Sequence, residues 1–229
     1  MGGKMRLNRE FFYRLGIVLG GIIFLFGCAG ASNSVSLAGS GGAYERIAVL
    51  PFVKADPGDS IDQLVPREIA SHMDVNADSA ENVVESIFVS KLGENKNIDI
   101  IPTEQVEGLY RQITLETISP KEAELISKLG QGLKADAIVV GYVYRYQERV
   151  GTPYAVEKPA SVAFEIHLID VDAGLRSWRA TFDKTQRSLM ENLFNFRFFV
   201  KDKGRWITAR ELAAEGVDEI MQNFPAAKR

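Results

Sequence analysis

His72 and His167 are the two histidines of the chain, and histidine is the side chain whose ordinary titration lies nearest neutrality. His167 stands two residues from Glu165, which puts both on one face of a β-strand. Such a pair can exchange protons with a substrate. It reads here as a solvated pair on the outer face of its strand. His72 lies near Glu68 and Asp74, without clear further ligands for a metal. Asp56, Asp59 and Asp62 lack the alternating ligands, central Gly and final Glu of a calcium loop. No Ser occupies a nucleophile elbow, and no Gly-rich phosphate loop follows the first strand. The single cysteine, Cys28, excludes internal disulfides and a Cys-built metal site. The expectation is a non-enzyme with no catalytic set, no metal and no cofactor.

Residues 187–206 carry a different chemistry. Phe194, Phe196, Phe198, Phe199 and Trp206 are interleaved there with Arg197, Lys201, Lys203 and Arg205. Aromatic side chains beside Arg make binding hot spots and membrane interfaces. Equally, the aromatics could fill the core beneath a hairpin, with the cations as a wet rim. Phe194, Phe196, Arg197, Phe198 and Trp206 are taken as the candidate partner-binding residues. Tyr142, Tyr144 and Tyr146 form a second aromatic stripe, expected on one strand face and read as packing.

The chain has 229 residues, 46% hydrophobic and 25% charged, an ordinary globular composition that argues against disorder. The formal charge of −3 divides unevenly: residues 1–27 hold four cations and one anion, so the remainder carries −6. A mildly acidic body is not expected to bind nucleic acid, which needs clustered Lys and Arg. Residues 15–27 are uncharged. As a helix they span roughly 20 Å at ~1.5 Å per residue, against a hydrocarbon core of ~30 Å. That suits the apolar region of a secretory signal peptide better than a transmembrane helix.

The run Leu25-Phe26-Gly27-Cys28-Ala29 resembles the bacterial lipobox. The resemblance implies an acylated Cys28 at the mature N-terminus, a bilayer as partner and, with Ala29 in the sorting position, the outer membrane. Three acyl chains would hold firmly, since two already do. Residues 29–43 contain four Gly and four Ser and read as a flexible tether. The expected organisation is a signal peptide over 1–27, acylated Cys and tether over 28–44, and a periplasmic domain over 45–229.

Within the domain, residues 46–53 read as a buried strand ended or bulged at Pro51. Asp78 with Glu81 predicts a capping box for an amphipathic helix over 79–94. A short strand over 98–101 stops at Pro102, and Thr103 caps a helix to about Ile113. Ser119-Pro120-Lys121-Glu122 marks another helix start, with Ala123, Ile126, Leu129 and Leu133 inward. Residues 136–146 are β-rich. Val162, Phe164, Ile166 and Leu168 alternate on one core face, and Trp178, Ala180 and Phe182 answer them after a turn, as an antiparallel hairpin. Thr208 with Glu211 caps a last helix carrying Ala213, Val217, Ile220, Met221 and Phe224. The fold class is α/β: one domain with a mixed sheet covered by helices.

Ile47-Ala48-Val49-Leu50-Pro51-Phe52, Leu129-Gly130, residues 135–143, Leu168-Ile169-Asp170, Gly174 and Trp178 together are similar to a periplasmic lipoprotein group. That group includes the curli-secretion lipoprotein and the penicillin-binding-protein activator lipoprotein, and its fold resembles the amino-terminal domain of TolB. The similarity covers residues 45–182. It implies an envelope lipoprotein that docks a protein partner in assembly or secretion. Two alternatives stay open: a subunit of a curli-type secretion pore, and an envelope hydrolase or metal-dependent enzyme using a histidine. A pore would need long alternating strands in 147–160 and 183–206, where that pattern is missing. The oligomeric state is left open.

Overall fold

The structure, a computed structural model, describes residues 35–36, 44–56, 79–116, 121–186 and 205–225. The strands are β1 (Val35–Ser36), β2 (Arg46–Val49), β3 (Val53–Lys54), β4 (Asp99–Ile101), β5 (Ala137–Gln147), β6 (Val150–Thr152), β7 (Ala155–Lys158), β8 (Ser161–Asp170) and β9 (Leu175–Thr185). The helices are α1 (Ala80–Leu92), α2 (Thr103–Glu116), α3 (Glu122–Leu133) and α4 (Ala209–Met221). The main sheet runs β1-β9-β8-β5-β2-β4, with β3 also paired to β5; β6 and β7 form a separate hairpin. β2 lies parallel to β4 and β5, and β8 lies antiparallel to β5 and β9. The α/β class with a mixed, helix-covered sheet is therefore what the chain adopts.

Two apolar clusters flank the sheet. On one face Val84 and Phe88 of α1 and Leu212 and Val217 of α4 meet Phe164, Ile166, Trp178 and Phe182. On the other, Val106 and Tyr110 of α2 and Ile126 and Leu129 of α3 cover Leu50, Ile138, Val140 and Ile169. A Cβ on Gly141 would lie 2.5 Å from the Phe52 ring, so only glycine lets that ring close on the sheet.

Several local expectations shift. Pro51 breaks the first apolar run, and the chain resumes as β3 beside β5. Ser79, not Asp78, caps α1, accepting a hydrogen bond from Asn82 N; Asp78 lies outside the described residues. α2 includes Thr103 and continues to Glu116. Lys121 caps α3 with no side-chain bond, and Ser119 and Pro120 lie outside the described residues. Leu125 is buried on α3 and Ala123, in its first turn, is exposed. The Thr208–Glu211 capping box forms as expected.

The larger differences come from bulges and from what lies over β8. The register of β5 against β8 shifts between Val143 and Arg145. Tyr142 and Tyr144 therefore pack in the cluster under α2 and α3, while Tyr146 packs in the opposite cluster. The three tyrosines do not share a face, since the extra residue reverses the alternation. β8 is buried on both faces, so His167 and Glu165 are not the solvated pair of an outer face.

Candidate docking surface

The hairpin β6–β7 projects from the end of β5. Thr152 pairs with Ala155, leaving Pro153-Tyr154 as a two-residue turn. Gly151 has φ +117°, and a Cβ there would meet Ala155 O at 2.4 Å, so the bulged hairpin requires glycine at this point. Tyr154 at the tip is 80% exposed and Val150 is 47% exposed.

Two polar clips fix what stands beside the hairpin. Trp206 N–H donates to Pro153 O at 2.7 Å. Ala209 N–H, at the start of α4, donates to Glu148 Oε2 at 3.0 Å, which satisfies one of the helix's unpaired donors. Gln186, just past β9, holds the other end: its Oε1 accepts from Ile207 N at 2.9 Å and its Nε2 donates to Arg205 O at 3.3 Å. The bounds of residues 187–204 are thereby pinned together next to the hairpin. Arg205 pairs with Glu211 at 2.5 Å. Trp206, half-buried, is thus tied through its backbone to the turn that carries Tyr154. Phe194, Phe196, Arg197 and Phe198, like Cys28 and His72, lie outside the described residues. Tyr154 was not singled out from sequence; an aromatic beside Pro153 in a predicted insertion was the available signal.

A second cluster occupies the β8–β9 face away from α1 and α4. Glu165 receives a two-pronged guanidinium: Arg179 Nε lies 2.7 Å from Oε1 and Nη2 donates to Oε2 at 2.7 Å. Thr181 Oγ1 donates to the same Oε2 at 3.1 Å. His167 Nε2 is bonded to Glu165 Oε1, and Arg176 Nη1 approaches His167 Nδ1 at 3.3 Å. A guanidinium only donates, so Nδ1 accepts and the ring proton sits on Nε2, facing the carboxylate. The β9 register shift between Trp178 and Arg176 is what brings Arg176 to this face beside Arg179.

Burial and the neighbouring cations hold the His167 pKa below its ordinary value, against the pull of Glu165. Burial pushes the Glu165 carboxyl up, but hydrogen bonds from His167 and Arg179 outweigh it and hold it low. The pair resembles an acid–base dyad in its carboxylate-oriented imidazole. Its free ring nitrogen, however, meets Arg176 where a nucleophilic hydroxyl would have to stand. On α1, Glu85 accepts from Phe52 N at 2.9 Å, and burial, with Glu107 nearby, pushes its pKa up to about 7. Among the described residues no three His, Cys, Asp or Glu side chains gather as metal ligands.

No family model matches the chain, and no curated protein does. Solved structures similar to it include a PelC dodecamer from Paraburkholderia phytofirmans, 16% identical, covering 86% of this chain and 99% of that one at TM-score 0.47. Lipoprotein GNA1162 from Neisseria meningitidis is 17% identical and covers 69% of this chain and 92% of that one, at 0.37. The C-terminal domain of LpoB from Escherichia coli is 13% identical and covers 64% and 87%, at 0.40. The lipoprotein group resembled by the strand motifs is thus represented among these structures.

Proposed function

We propose that this chain is a non-catalytic lipoprotein, held at the outer membrane by acylated Cys28, whose periplasmic domain docks a protein partner of envelope assembly or secretion. The docking surface comprises Tyr154, Trp206 and residues 187–204, with Phe194, Phe196, Arg197 and Phe198 as its anchors. The observation that carries this reading is the Gln186 clip. It joins the described residues that flank the aromatic and basic stretch of the sequence, and Trp206 beside it bonds to the turn of a hairpin whose tip tyrosine is exposed. The basic start, short apolar run and Cys28 support the membrane attachment. β6 and β7 have three and four residues, against the ~9–11 a bilayer-crossing strand needs, so this hairpin is better suited to contact than to a pore wall.

Crosslinking in intact envelopes, followed by recovery of the tagged protein, tests the surface. Replacing Tyr154, Arg197 and Phe198 by Ala is expected to lower partner recovery about 30-fold, the effect of losing ~2 kcal/mol at a hot spot. Unchanged recovery refutes the surface. Palmitate labelling that persists in Cys28→Ser refutes the anchor.

A further inference from the structure

The described residues bury two carboxylates, and only one of them is answered. Glu165, 2% exposed, is bonded by His167, Arg179 and Thr181. Glu81, 8% exposed in the first turn of α1, has no donor or counter-charge on its side chain among the described residues. A buried carboxylate without a hydrogen bond or a cation is costly, and native chains keep one where something else supplies the partner. The positive end of the α1 dipole offsets part of that cost, but a dipole fills no lone pair.

Glu81 lines a cavity of about 280 Å³. The same cavity is lined by Lys54 of β3, by Ala80 at the start of α1, and by Val143, Arg145 and Tyr146 about the bulge of β5. Lys54 is exposed and pairs with no carboxylate among the described residues. Arg145 is held in place by Ser161 Oγ at 2.6 Å and by Asp183. Ser79 caps Asn82 N, which leaves the N–H groups of Ala80 and Glu81 to an outside acceptor.

Size and charge select the occupant. The volume falls just below the ~300–1,000 Å³ of sites for drug-sized ligands, so a molecule of few heavy atoms suits it. A plain cation would meet Glu81 but also Lys54 and Arg145. A plain anion would meet Lys54 and the α1 N–H groups but also Glu81. A molecule with an ammonium at one end and a carboxylate at the other answers both sets. Val143 and the Tyr146 ring offer a surface for an apolar remainder.

We propose that this cavity binds a free α-amino acid, its ammonium on Glu81 and its carboxylate on Lys54 and the first turn of α1. The site uses none of the residues of the proposed docking surface and does not rest on that reading.

Saturation-transfer NMR on the full chain in detergent tests it, with glycine, L-alanine, D-alanine, L-leucine and L-phenylalanine as probes. Transfer to at least one is expected, and titration of that probe gives its affinity. Its deaminated and decarboxylated counterparts should each bind at least tenfold more weakly. Glu81→Gln keeps the shape of the side chain and removes its charge, so it should weaken binding at least tenfold. Lys54→Ala, at an exposed position that leaves the core untouched, should weaken binding about tenfold and serves alone if Glu81→Gln does not fold. Absence of transfer to all five probes overturns the proposal. A counterpart lacking either charged end that binds as tightly as the amino acid overturns it as well, as does unchanged affinity in Lys54→Ala or in folded Glu81→Gln.

Discussion

The two faces of β8 are buried to the same degree by opposite means. Phe164, Ile166 and Leu168 are closed off by the cluster that includes α4 and the aromatics of β9. Glu165 and His167, on the other face, are 2% and 0% exposed, yet their partners are the arginines of β9, and Arg179 itself is 41% exposed. One face excludes water with apolar packing. The other meets the pair with the guanidinium groups of Arg176 and Arg179, the latter partly exposed, and with the Tyr142 ring, whose centroid lies 5.3 Å from that of His167. Burial of this polar pair therefore combines counter-charge from the adjacent strand β9 with ring packing from Tyr142 of β5.

Breaking the apolar side should cost most. Phe164→Ala is expected to lose about 3–5 kcal/mol, a fall in Tm of roughly 10 °C for a domain of this size. Glu165→Ala should cost less, about 2–3 kcal/mol: His167 Nε2–H loses its acceptor in the interior, while Arg179 turns back to water. Joint replacement of Glu165 and His167 by Leu removes the buried polar atoms together, so it should come within about 1 kcal/mol of the parent. Denaturant titration orders the three variants. A Glu165→Ala loss as large as that of Phe164→Ala would mean the polar face packs as tightly as a helix layer.

The apolar face was readable in advance and the polar one was not, for a physical reason. Alternation of Val162, Phe164, Ile166 and Leu168 reports which residues share a face. It says nothing about what stands over the opposite face, and Arg176 reaches it through a register shift that composition does not encode. The same limit separated Tyr146 from Tyr142 and Tyr144. Caps written in adjacent residues, such as Thr208 with Glu211, were legible because their partners are local. Of the proposed docking surface, the aromatic and basic composition of 187–206 was legible. The Gln186 clip and the placement of Trp206 against Pro153 depend on residues far apart in the chain. Val35–Ser36 read as tether because Gly- and Ser-rich surroundings mask a two-residue strand.

The smallest expected effect gives the finest probe of the polar face, because it changes one proton rather than a side chain. His167 is held neutral by burial and by the flanking Arg176 and Arg179, so its folded-state pKa lies below the ordinary value of 6.5. Below pH 6.5 the unfolded chain takes up a proton that the folded chain refuses, and unfolding is favoured. Stability is full above that value and declines as the pH falls toward the folded-state pKa, by up to about 1.4 kcal/mol per pH unit. Glu165, also held low, adds its own loss only below its ordinary carboxylate value near 4.5. His167→Gln keeps an N–H for Glu165 and an oxygen for Arg176 but cannot titrate. The melting temperature of the parent should therefore fall between pH 6.5 and 5 by roughly 2–4 °C per kcal/mol lost, while that of His167→Gln stays flatter. Parallel curves for the two proteins would mean that the imidazole is protonated in the fold, with Arg176 displaced from Nδ1.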